Sequence, residues 1–245
     1  AHVTMAPDGD VLVASRSAGR FSEDMGQPKS EDDVAVLRFT TEGNLEWARM
    51  FGGLGDPAAF GNGDEPDGIA VDPQSGQIVV AGNTTGDLGT IDIDGGAEAV
   101  ADGEGSPDHG GTGEGFILRL APDTGDLIRT RQFETNGRDN VTAMDVDGAG
   151  DVSVVGDMDA LSERFPGEGP TPTSGGGAAF TVTYDASGER AWTRTDTPVN
   201  GDANASDVAI AAADLRLVAG DDRPAVLVYS DEGTLLTEIT DEILS

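Results

Sequence analysis

The sequence predicts an all-β fold, a β-propeller-like array of four four-stranded blades, and three observations lead to this class. Glycine is abundant, with 36 among 245 residues, and aromatic residues make up only 5%, which suits short strands and turns better than a helical bundle. Apolar and polar residues alternate in short segments separated by Asp-Gly or Ser-Gly turns, as in β-hairpins. Two kinds of hairpin recur along the chain, which indicates a repeat protein.

The first kind of hairpin is an apolar strand, a turn rich in Asp and Gly, and a second apolar strand. Its copies are VTMAPDGDVLVAS (3–15), IAVDPQSGQIVVAG (69–82), AMDVDGAGDVSVVG (143–156) and the shorter VAIAAADLRLVAG (208–220). A glycine closes the last three copies, and Ser15 takes its place in the first. The shared closing position gives the four copies one register.

The second kind of hairpin follows each copy of the first. Its copies are VAVLRFTTEGNLEWARMF (34–51), FILRLAPDTGDLIRTRQF (116–133), AAFTVTYDASGERAWTRT (178–195) and AVLVYSDEGTLLTEIT (225–240). Its register is fixed by Phe39, Leu120, Tyr184 and Tyr229 before the turn, and by Gly43, Gly125, Gly188 and Gly233 in it. Trp47 and Trp192 both come four residues after that glycine. Because they recur at one repeat position, we expect them to pack between blades rather than to form a ligand cage.

Two hairpins supply four strands, which make one propeller blade. A blade is too small to bury its own faces, so it must stack on a neighbour. The sequence therefore predicts a single domain over 1–245, with repeats at approximately 1–53, 54–133, 134–197 and 198–245. No strand is left over for a blade shared by the first and last repeats. A closed four-bladed ring, an open arc and part of a larger propeller therefore all stay open.

The paired hairpins resemble the SBBP-type repeat of bacterial β-propellers. The segment GIAVDPQSGQIVVAGNTTG followed by EGFILRLAPDTGDLIRTRQF is similar to that family's "GIAVD…G.VYVTG" and "D.F..K.D..G…W…" hairpins. The resemblance covers nearly the whole chain and is strongest at 68–83 and 34–52. It implies a propeller fold in an exported protein and implies no particular activity. The chain departs from the family in its long acidic insertions and in the weak spacing of its fourth repeat.

Charge is the most extreme feature of the composition. Asp and Glu total 46 against 14 Lys and Arg, for a formal net charge of −32, and Lys29 is the single lysine. A field of this sign repels nucleic acid and anionic membranes and attracts cations and basic partners. Two interpretations stay open: halophilic adaptation to salt, where the Debye length falls to about 3 Å, and deliberate cation binding. The even spread of acids and the loss of lysine favour adaptation to salt.

The two kinds of connection should lie at opposite ends of each blade. If strands alternate in direction, the short turns inside hairpins share one end, and the links between hairpins emerge at the other. The links are long and irregular, at 16–33, 52–67, 86–114, 157–177 and 196–206. Variable insertions gathered at one end usually mark the binding face of a repeat protein. We therefore expect function at the acidic loop face that these links form.

The longest link, 86–114, is a candidate Ca²⁺ site because it is dense in hard oxygen ligands. The candidate ligands are Asp92, Asp94, Asp102, Glu104 and Asp108. Neither 92–96 nor 145–149 completes a D-x-D-x-D loop, and Gly156 stands where an EF-hand starting at Asp145 needs its glutamate. Asp145 and Asp147 fit an ordinary turn role. A solvated acidic loop is therefore the favoured interpretation, and Ca²⁺ is the alternative.

No catalytic motif is present in the sequence. There is no G-x-x-x-x-G-K-[ST], no G-x-S-x-G and no H-E-x-x-H. His2 and His109 are the only histidines and cysteine is absent, which excludes a multi-histidine metal centre and a thiolate site. We therefore predict that the protein is not an enzyme. A propeller hydrolase or lyase stays as an alternative, because carboxylates are abundant enough to supply a catalytic pair.

Three N-x-[ST] sequons lie in or beside the links, at Asn83, Asn140 and Asn204, and are candidate N-glycosylation sites. No apolar run approaches the roughly 18–20 residues needed to span a bilayer. No signal peptide is visible and the chain starts at Ala1. We expect a mature or trimmed product, or a fragment, of an exported protein that is extracellular or at the cell surface.

These observations predict a non-enzymatic extracellular interaction or structural module. Its acidic loop face would bind a protein partner, a glycan or another copy of itself. We expect no cofactor, no binding of nucleic acid and no insertion into membranes. A Ca²⁺-dependent binding module and a propeller hydrolase or lyase are the alternative functions.

Overall fold

A computed structural model of the chain describes residues 1–19, 32–52, 54–55, 63–87, 113–133, 139–158, 177–196, 205–211, 215–220 and 225–240. Within these ranges the regular structure consists of strands and turns, without a helix. The strands of the first half are β1 (His2–Met5), β2 (Val11–Ser17), β3 (Asp33–Phe39), β4 (Leu45–Phe51), β5 (Leu54–Gly55), β6 (Glu65–Val71), β7 (Ile78–Thr84), β8 (Gly86–Asp87), β9 (Glu114–Leu120) and β10 (Leu127–Phe133). Those of the second half are β11 (Asp139–Val146), β12 (Val152–Met158), β13 (Ala178–Tyr184), β14 (Arg190–Asp196), β15 (Ala205–Ala211), β16 (Leu215–Gly220), β17 (Ala225–Tyr229) and β18 (Leu235–Thr240).

The described strands form four antiparallel sheets of four strands each. Sheet 1 contains β1 to β4, sheet 2 contains β6, β7, β9 and β10, sheet 3 contains β11 to β14, and sheet 4 contains β15 to β18. Each sheet is an up-and-down arrangement of two hairpins. The short pair of β5 with β8 is an addition that the hairpin pattern did not predict. The predicted fold class, all-β with four four-stranded blades, is confirmed.

The chain divides into two compact units. Unit 1 covers Ala1–Glu134 and holds sheets 1 and 2, and unit 2 covers Thr135–Ser245 and holds sheets 3 and 4. In each unit the two sheets bury apolar side chains against one another. We call the face that carries Leu12 in sheet 1 and the equivalent Ser153 in sheet 3 the trailing face, and the opposite face of each sheet its leading face.

The core of unit 1 joins the trailing face of sheet 1, with Leu12 and Ala14, to the leading face of sheet 2, with Ile78 and Leu118. The core of unit 2 joins the trailing face of sheet 3 to the leading face of sheet 4. Its members include Val155 from sheet 3 and Val208, Val218 and Tyr229 from sheet 4. Since each sheet alone would expose these side chains to water, stacking supplies the hydrophobic stabilisation of the fold.

Both tryptophans pack across this sheet–sheet boundary. Trp47 is on the outer strand of sheet 1, and a methyl group built on Gly125, in the turn of sheet 2, would lie 2.6 Å from its ring. Trp192 lies on the outer strand of sheet 3, and a methyl group on Gly233 of sheet 4 would meet its ring at 2.5 Å. The turn glycines therefore leave room for the indole rings, and the predicted packing between blades is confirmed.

A β-bulge explains the glycine that closes the first hairpin. The register of the first strand on the second shifts by one residue in sheets 2, 3 and 4, as bulges require. In two of them the bulge brings the carbonyl of Glu65 over Gly82 and the carbonyl of Asn140 over Gly156, which leaves no space for a Cβ atom. The pairing of β1 with β2 has no bulge, and Ser15 is accommodated there.

The short turns and the long links lie at opposite ends of each sheet. The described turns inside hairpins are closed by backbone hydrogen bonds, for example from Asp147 N to Asp151 O at 2.9 Å. We call this the turn end and the opposite end the link end. In the described part of the chain, no helix is long and apolar enough to cross a membrane.

Candidate functional site

The turn end of unit 2 holds a fully buried arginine. Arg216 lies on β16, and its side chain is 0% exposed. Its Nη2 donates to Asp147 Oδ2 at 2.9 Å, and its Nη1 donates to Asp231 Oδ1 at 2.7 Å. Its Nε donates to Ser153 Oγ at 3.3 Å. The guanidinium therefore joins the β11–β12 turn of sheet 3 to the β17–β18 turn of sheet 4.

Three carboxylates converge beside this guanidinium. Asp147, Asp151 and Asp231 each place one carboxylate oxygen within 4.8 Å of the others. Asp147 Oδ1 accepts hydrogen bonds from the backbone N–H groups of Ala149 at 2.9 Å and of Asp151 at 2.8 Å. Asp151 Oδ1 accepts one from Ala186 N at 2.9 Å, in the β13–β14 turn. Three turns of two sheets thus meet at one cluster, and the predicted turn role of Asp147 is confirmed.

The charges of this cluster fit a structural ion pair between two sheets better than a metal site. Burial and the neighbouring Asp147 raise the pKa of Asp151, because a second negative charge is costly in a partly desolvated place. Hard oxygen ligands at this spacing suit a divalent cation. However, Arg216 already donates to two of the three carboxylates, so a cation would have to compete with an ion pair that is in place.

Unit 1 has a comparable cluster built from different residues. Arg38 on β3 is paired with Asp8, and its Nε lies 3.0 Å from Asp10 Oδ2 and 2.8 Å from Glu46 Oε2. Its Nη1 donates to the carbonyl oxygen of Pro122 at 2.7 Å, which belongs to the turn of sheet 2. Arg38 therefore ties two sheets together at the turn end, as Arg216 does in unit 2.

The same turn carbonyl has a different donor in each unit. Pro122 and Asp231 both come second in the turn of a second hairpin. In unit 1 the carbonyl accepts from Arg38, and in unit 2 it accepts from Trp192 Nε1 at 2.7 Å. Trp47 Nε1, the counterpart of that indole donor, is buried and has no hydrogen-bond partner within the described residues. Equivalent turn carbonyl groups thus accept a hydrogen bond from an arginine in unit 1 and from a tryptophan in unit 2.

The sheet–sheet boundary is apolar in unit 1 and polar in unit 2 at one repeat position. Ile78 and Arg216 each pair with the residue that precedes the turn of the second hairpin. Ile78 packs in the core with Leu12, whereas Arg216 meets Ser153, which holds the position of Leu12 in sheet 3. Sequence reasoning missed this residue. Its signal was a single charge inside the apolar run LRLVAG of a central strand.

The link end of unit 1 carries buried carboxyl groups. Asp33 at the start of β3 and Asp64 just before β6 are buried, and a methyl group built on Gly52 would lie 2.3 Å from Asp33 Oδ1 and 2.9 Å from Asp64 Oδ2. Asp64 N also donates to the carbonyl oxygen of Asp32 at 2.8 Å. A side chain at position 52 would displace these carboxylates, so the glycine is required by their close approach.

Asp67 lies in the bulge of β6 at the same end. Burial raises its pKa to about 7, and the nearby Glu65 adds to this effect, because both disfavour the charged form. Its Oδ2 accepts a hydrogen bond from Asn83 Nδ2 at 2.7 Å. Asp67 therefore titrates near neutral pH, unlike an ordinary surface carboxyl group.

The structure describes only some of the residues that the sequence singled out. The Ca²⁺ candidates Asp92, Asp94, Asp102, Glu104 and Asp108 and the sequon residue Asn204 lie outside the described residues. Asn83 and Asn140 are half-buried, and the side-chain amide of Asn140 donates to Asp157 Oδ1 at 2.9 Å. Glycosylation at these sequons stays a prediction, as does Ca²⁺ binding by the link.

Four antiparallel four-stranded sheets, stacked in pairs within each unit and with short turns at one end of each sheet, define a β-propeller-like repeat protein. No family model matches the chain, so the likeness to SBBP repeats stays a resemblance, and no curated protein sequence matches it. A solved structure of catalytically inactive virginiamycin B lyase from Staphylococcus aureus, with quinupristin, is 10% identical at a TM-score of 0.50 and covers 98% of this chain and 54% of its own. This likeness concerns the fold alone.

Two further solved structures are similar at lower TM-scores. A protein of unknown function from Bacteroides caccae is 12% identical with a TM-score of 0.48, over 98% of this chain and 60% of its own. A gluconolactonase from Xanthomonas campestris is 14% identical with a TM-score of 0.41, over 97% of this chain and 60% of its own. The chain thus spans little more than half the length of the solved structures it matches.

Proposed function

We propose that the chain is a non-enzymatic interaction or structural module of an exported protein, located outside the cell or at its surface. Its acidic loop face, formed by the links between hairpins, binds a protein partner, a glycan or another copy of the chain. One observation carries the proposal. The buried charged groups at the turn end are engaged in ion pairs and turn hydrogen bonds, which leaves the link end as the variable surface.

Link length supports this assignment of the binding face. The links range from 4 residues between β16 and β17 to 29 residues between β7 and β9, while the hairpin turns that the structure describes are short and closed by backbone hydrogen bonds. Loops that vary on a constant scaffold are where repeat proteins place recognition. The net charge of −32 favours a basic partner and disfavours nucleic acid.

Shortening the longest link tests the proposal. Residues 88–112, which contain six acidic residues, are replaced by a short Gly-Ser segment that carries three aspartates, so that this variant loses three negative charges, as the control does. Binding of labelled poly-L-lysine and of a glycan array is compared with that of the intact chain. We expect binding to weaken more than about tenfold, while the thermal unfolding midpoint stays unchanged because the sheets keep their cores. A control variant neutralises acids at the turn end instead, through Glu42→Gln, Asp123→Asn and Glu232→Gln.

Two outcomes of this experiment would contradict the proposal. One is that neither probe binds the intact chain. The other is equal weakening in the loop variant and in the turn-end control, because it would mean that binding follows total charge rather than one face. Calorimetric titration with Ca²⁺ tests the Ca²⁺-dependent alternative. That alternative requires the intact chain to release heat on binding Ca²⁺ and to unfold at a higher temperature with Ca²⁺ present, and it requires the loop variant to lose both effects.

The enzyme alternative has its own measurement. The lyase and the gluconolactonase that share the fold suggest which compounds to use: quinupristin and gluconolactone. We expect no turnover of either compound above the uncatalysed rate. Turnover that Arg216→Met or Asp67→Asn abolishes, with the fold intact, would replace the proposal by the hydrolase or lyase alternative.

A further inference from the structure

The bulge of β6 has a carboxyl group where the equivalent bulges have hydroxyl groups. The strand registers place Asp67 at the repeat position of Thr142 in sheet 3 and of Ser206 in sheet 4. Each of the three is the extra residue of its bulge, at the link end of its sheet. The hydroxyl groups therefore show what role the carboxyl group of Asp67 takes over.

Both hydroxyl groups donate a hydrogen bond to the neighbouring strand. Thr142 Oγ1 donates to the carbonyl oxygen of Val155, and Ser206 Oγ donates to that of Ala219, each at 3.2 Å. Val155 and Ala219 hold the repeat position of Ala81 in sheet 2. A bulge of this kind thus presents a carbonyl oxygen to the side chain of its extra residue. A carboxylic acid has a proton to donate to that oxygen, whereas an ionised carboxylate has none.

The surroundings of Asp67 also favour the neutral acid. The residue is half-buried, and burial raises its pKa to about 7, with the charge of Glu65 as the next cause. The side-chain amide of Asn83 donates to Asp67 Oδ2 at 2.7 Å, which leaves Oδ1 for a second hydrogen bond. The amide of Asn83 and the amino group of Ala1 favour the ionised form, but they do not offset the effect of burial.

The strands of unit 1 that pack around β6 supply no cationic side chain to Asp67. On β1, His2 donates a hydrogen bond to the backbone of β6, and burial lowers the pKa of its imidazole. On β2, the guanidinium of Arg16 lies 4.0 Å from the carboxylate of Glu65. Asp33 on β3 is a further acidic group at this end, and β7 has no charged residue. An ionised Asp67 would therefore lack a cationic side-chain partner within the described part of unit 1.

We propose that Asp67 is a pH-sensitive latch, a neutral acid that donates its O–H to the carbonyl oxygen of Ala81 while it accepts the amide of Asn83. These two hydrogen bonds hold the bulge of β6 on the end of β7. Loss of the proton places a carboxylate oxygen against a carbonyl oxygen, so the side chain leaves the bulge for water. Because the closed form binds the proton, raising the pH weakens the latch until Asp67 itself ionises near neutrality.

The latch lies beneath a contact between two links. Gly63 N, just before β6, donates to Thr85 Oγ1, just after β7, at 3.2 Å. Directly after Thr85, β8 pairs with β5 of the preceding link. When the latch opens, the end of β7 is released, and the contacts between the two links loosen with it. The pH thus controls how firmly the base of the loop face is ordered. This control requires no binding partner, so it can fail or hold separately from the proposed function.

Two measurements on the unmodified chain test the latch. In carboxyl ¹³C NMR, with the signal assigned by its absence in Asp67→Asn, Asp67 should titrate near pH 7 rather than near the value of about 3.9 for an ordinary aspartate. Hydrogen exchange at the amides of Gly63, Gly86 and Asp87, corrected for the intrinsic effect of pH, follows the opening. Their protection should fall more than about tenfold between pH 5 and pH 8. Titration at the ordinary value, or constant protection, would overturn the inference.

The repeats supply the variant that identifies the responsible group. Asp67→Thr installs the hydroxyl donor that Thr142 provides in sheet 3, so protection at pH 8 should stay as high as at pH 5. His2→Gln is the control, because His2 is the other titratable group that is hydrogen-bonded to β6 and glutamine keeps a donor there. The control should retain the pH dependence. Loss of protection with rising pH that persists in Asp67→Thr, or that His2→Gln abolishes, would refute the assignment to Asp67.

Discussion

Replacing Arg216 with methionine should destabilise unit 2 strongly and leave unit 1 nearly unchanged. The guanidinium is fully buried and donates to Asp147, Asp231 and Ser153. Methionine has a similar length and no charge, so the space stays filled while the buried carboxylate of Asp147 loses its counter-ion. The free energy of unfolding of unit 2 should fall because that carboxylate stays desolvated without compensation.

The magnitude follows from the exposure of the partners. Removing one member of a buried ion pair costs about 3–5 kcal/mol, whereas an exposed pair contributes about 0–1 kcal/mol. The Asp147 side chain is 2% exposed and the Asp231 side chain is 57% exposed, so the first pair dominates. Asp147 also keeps two backbone hydrogen bonds, which places the loss near the lower limit, at about 3 kcal/mol.

Arg38→Met in unit 1 is the matched comparison. Its partners Asp8 and Glu46 have side chains that are 56% and 45% exposed, so water compensates them when the guanidinium is lost. Asp10 is only 14% exposed, but it keeps a hydrogen bond from Thr41 N at 3.1 Å. The hydrogen bond to the carbonyl of Pro122 also disappears. We expect about 1–2 kcal/mol, less than for Arg216.

Denaturant unfolding followed by tryptophan fluorescence measures both effects, because each unit contains one of the two tryptophans. In a Trp47→Phe background the signal comes from Trp192 in unit 2, and in a Trp192→Phe background it comes from unit 1. The reasoning is refuted if Arg216→Met costs under about 1 kcal/mol in unit 2, or costs no more than Arg38→Met. Adding Asp147→Asn to Arg216→Met should recover part of the loss, since the unpaired charge is removed.

Three further predictions follow from other parts of the structure. The folded-state pKa of Asp67 is raised to about 7 from 3.8, so its contribution to stability is full below about pH 4 and is lost as pH rises through 7. That rise corresponds to about 4 kcal/mol, which solvent screening of the half-buried carboxyl group reduces to about 2 kcal/mol. Asp67→Asn should therefore stabilise the chain by about 2 kcal/mol at pH 8 and have little effect near pH 4, measured by denaturant titration. Trp192→Phe removes an indole hydrogen bond that Trp47 lacks, and should cost about 1 kcal/mol more than Trp47→Phe; equal costs would contradict the hydrogen-bond assignment. Gly156→Ala places a methyl group 2.8 Å from a phenylalanine ring and against a backbone carbonyl, and should cost more than about 2 kcal/mol, while Gly148→Ala, in open space, should be tolerated in thermal melts.

The strands were predictable because each hairpin carries its own local signals. Alternation, turn residues and repeated positions placed the two strands of every hairpin, and the copies supported one another where a single copy is weak. The role of Trp47 and Trp192 also followed from repetition alone. The reason for Gly82 and Gly156 could not be predicted from repetition. A β-bulge depends on the register between two paired strands, and the residue pattern of one strand does not determine that register.

The charged cluster of unit 2 could not be predicted, because it joins residues far apart in sequence. Asp147 appeared as a turn residue and Asp231 as one acid among many, and only the stacking of sheet 4 on sheet 3 brings both to Arg216. With 46 acidic residues in the chain, composition made every carboxylate equally plausible. The informative residue was the arginine in the apolar run of β16, since a buried cation requires a buried partner.

The carbonyl groups of Pro122 and Asp231 occupy the same position in the turns of two repeats, and they show that the residues around such a position can differ while the architecture stays the same. Arg38 donates a hydrogen bond to this carbonyl group in one unit and Trp192 does so in the other. The two repeats therefore keep the position of the acceptor, and the donor side chain is replaceable. A substitution at one donor site can be tolerated when a second donor lies within reach. At this position of sheets 2 and 4, the backbone acceptor is therefore kept while the type of side chain that donates to it changes.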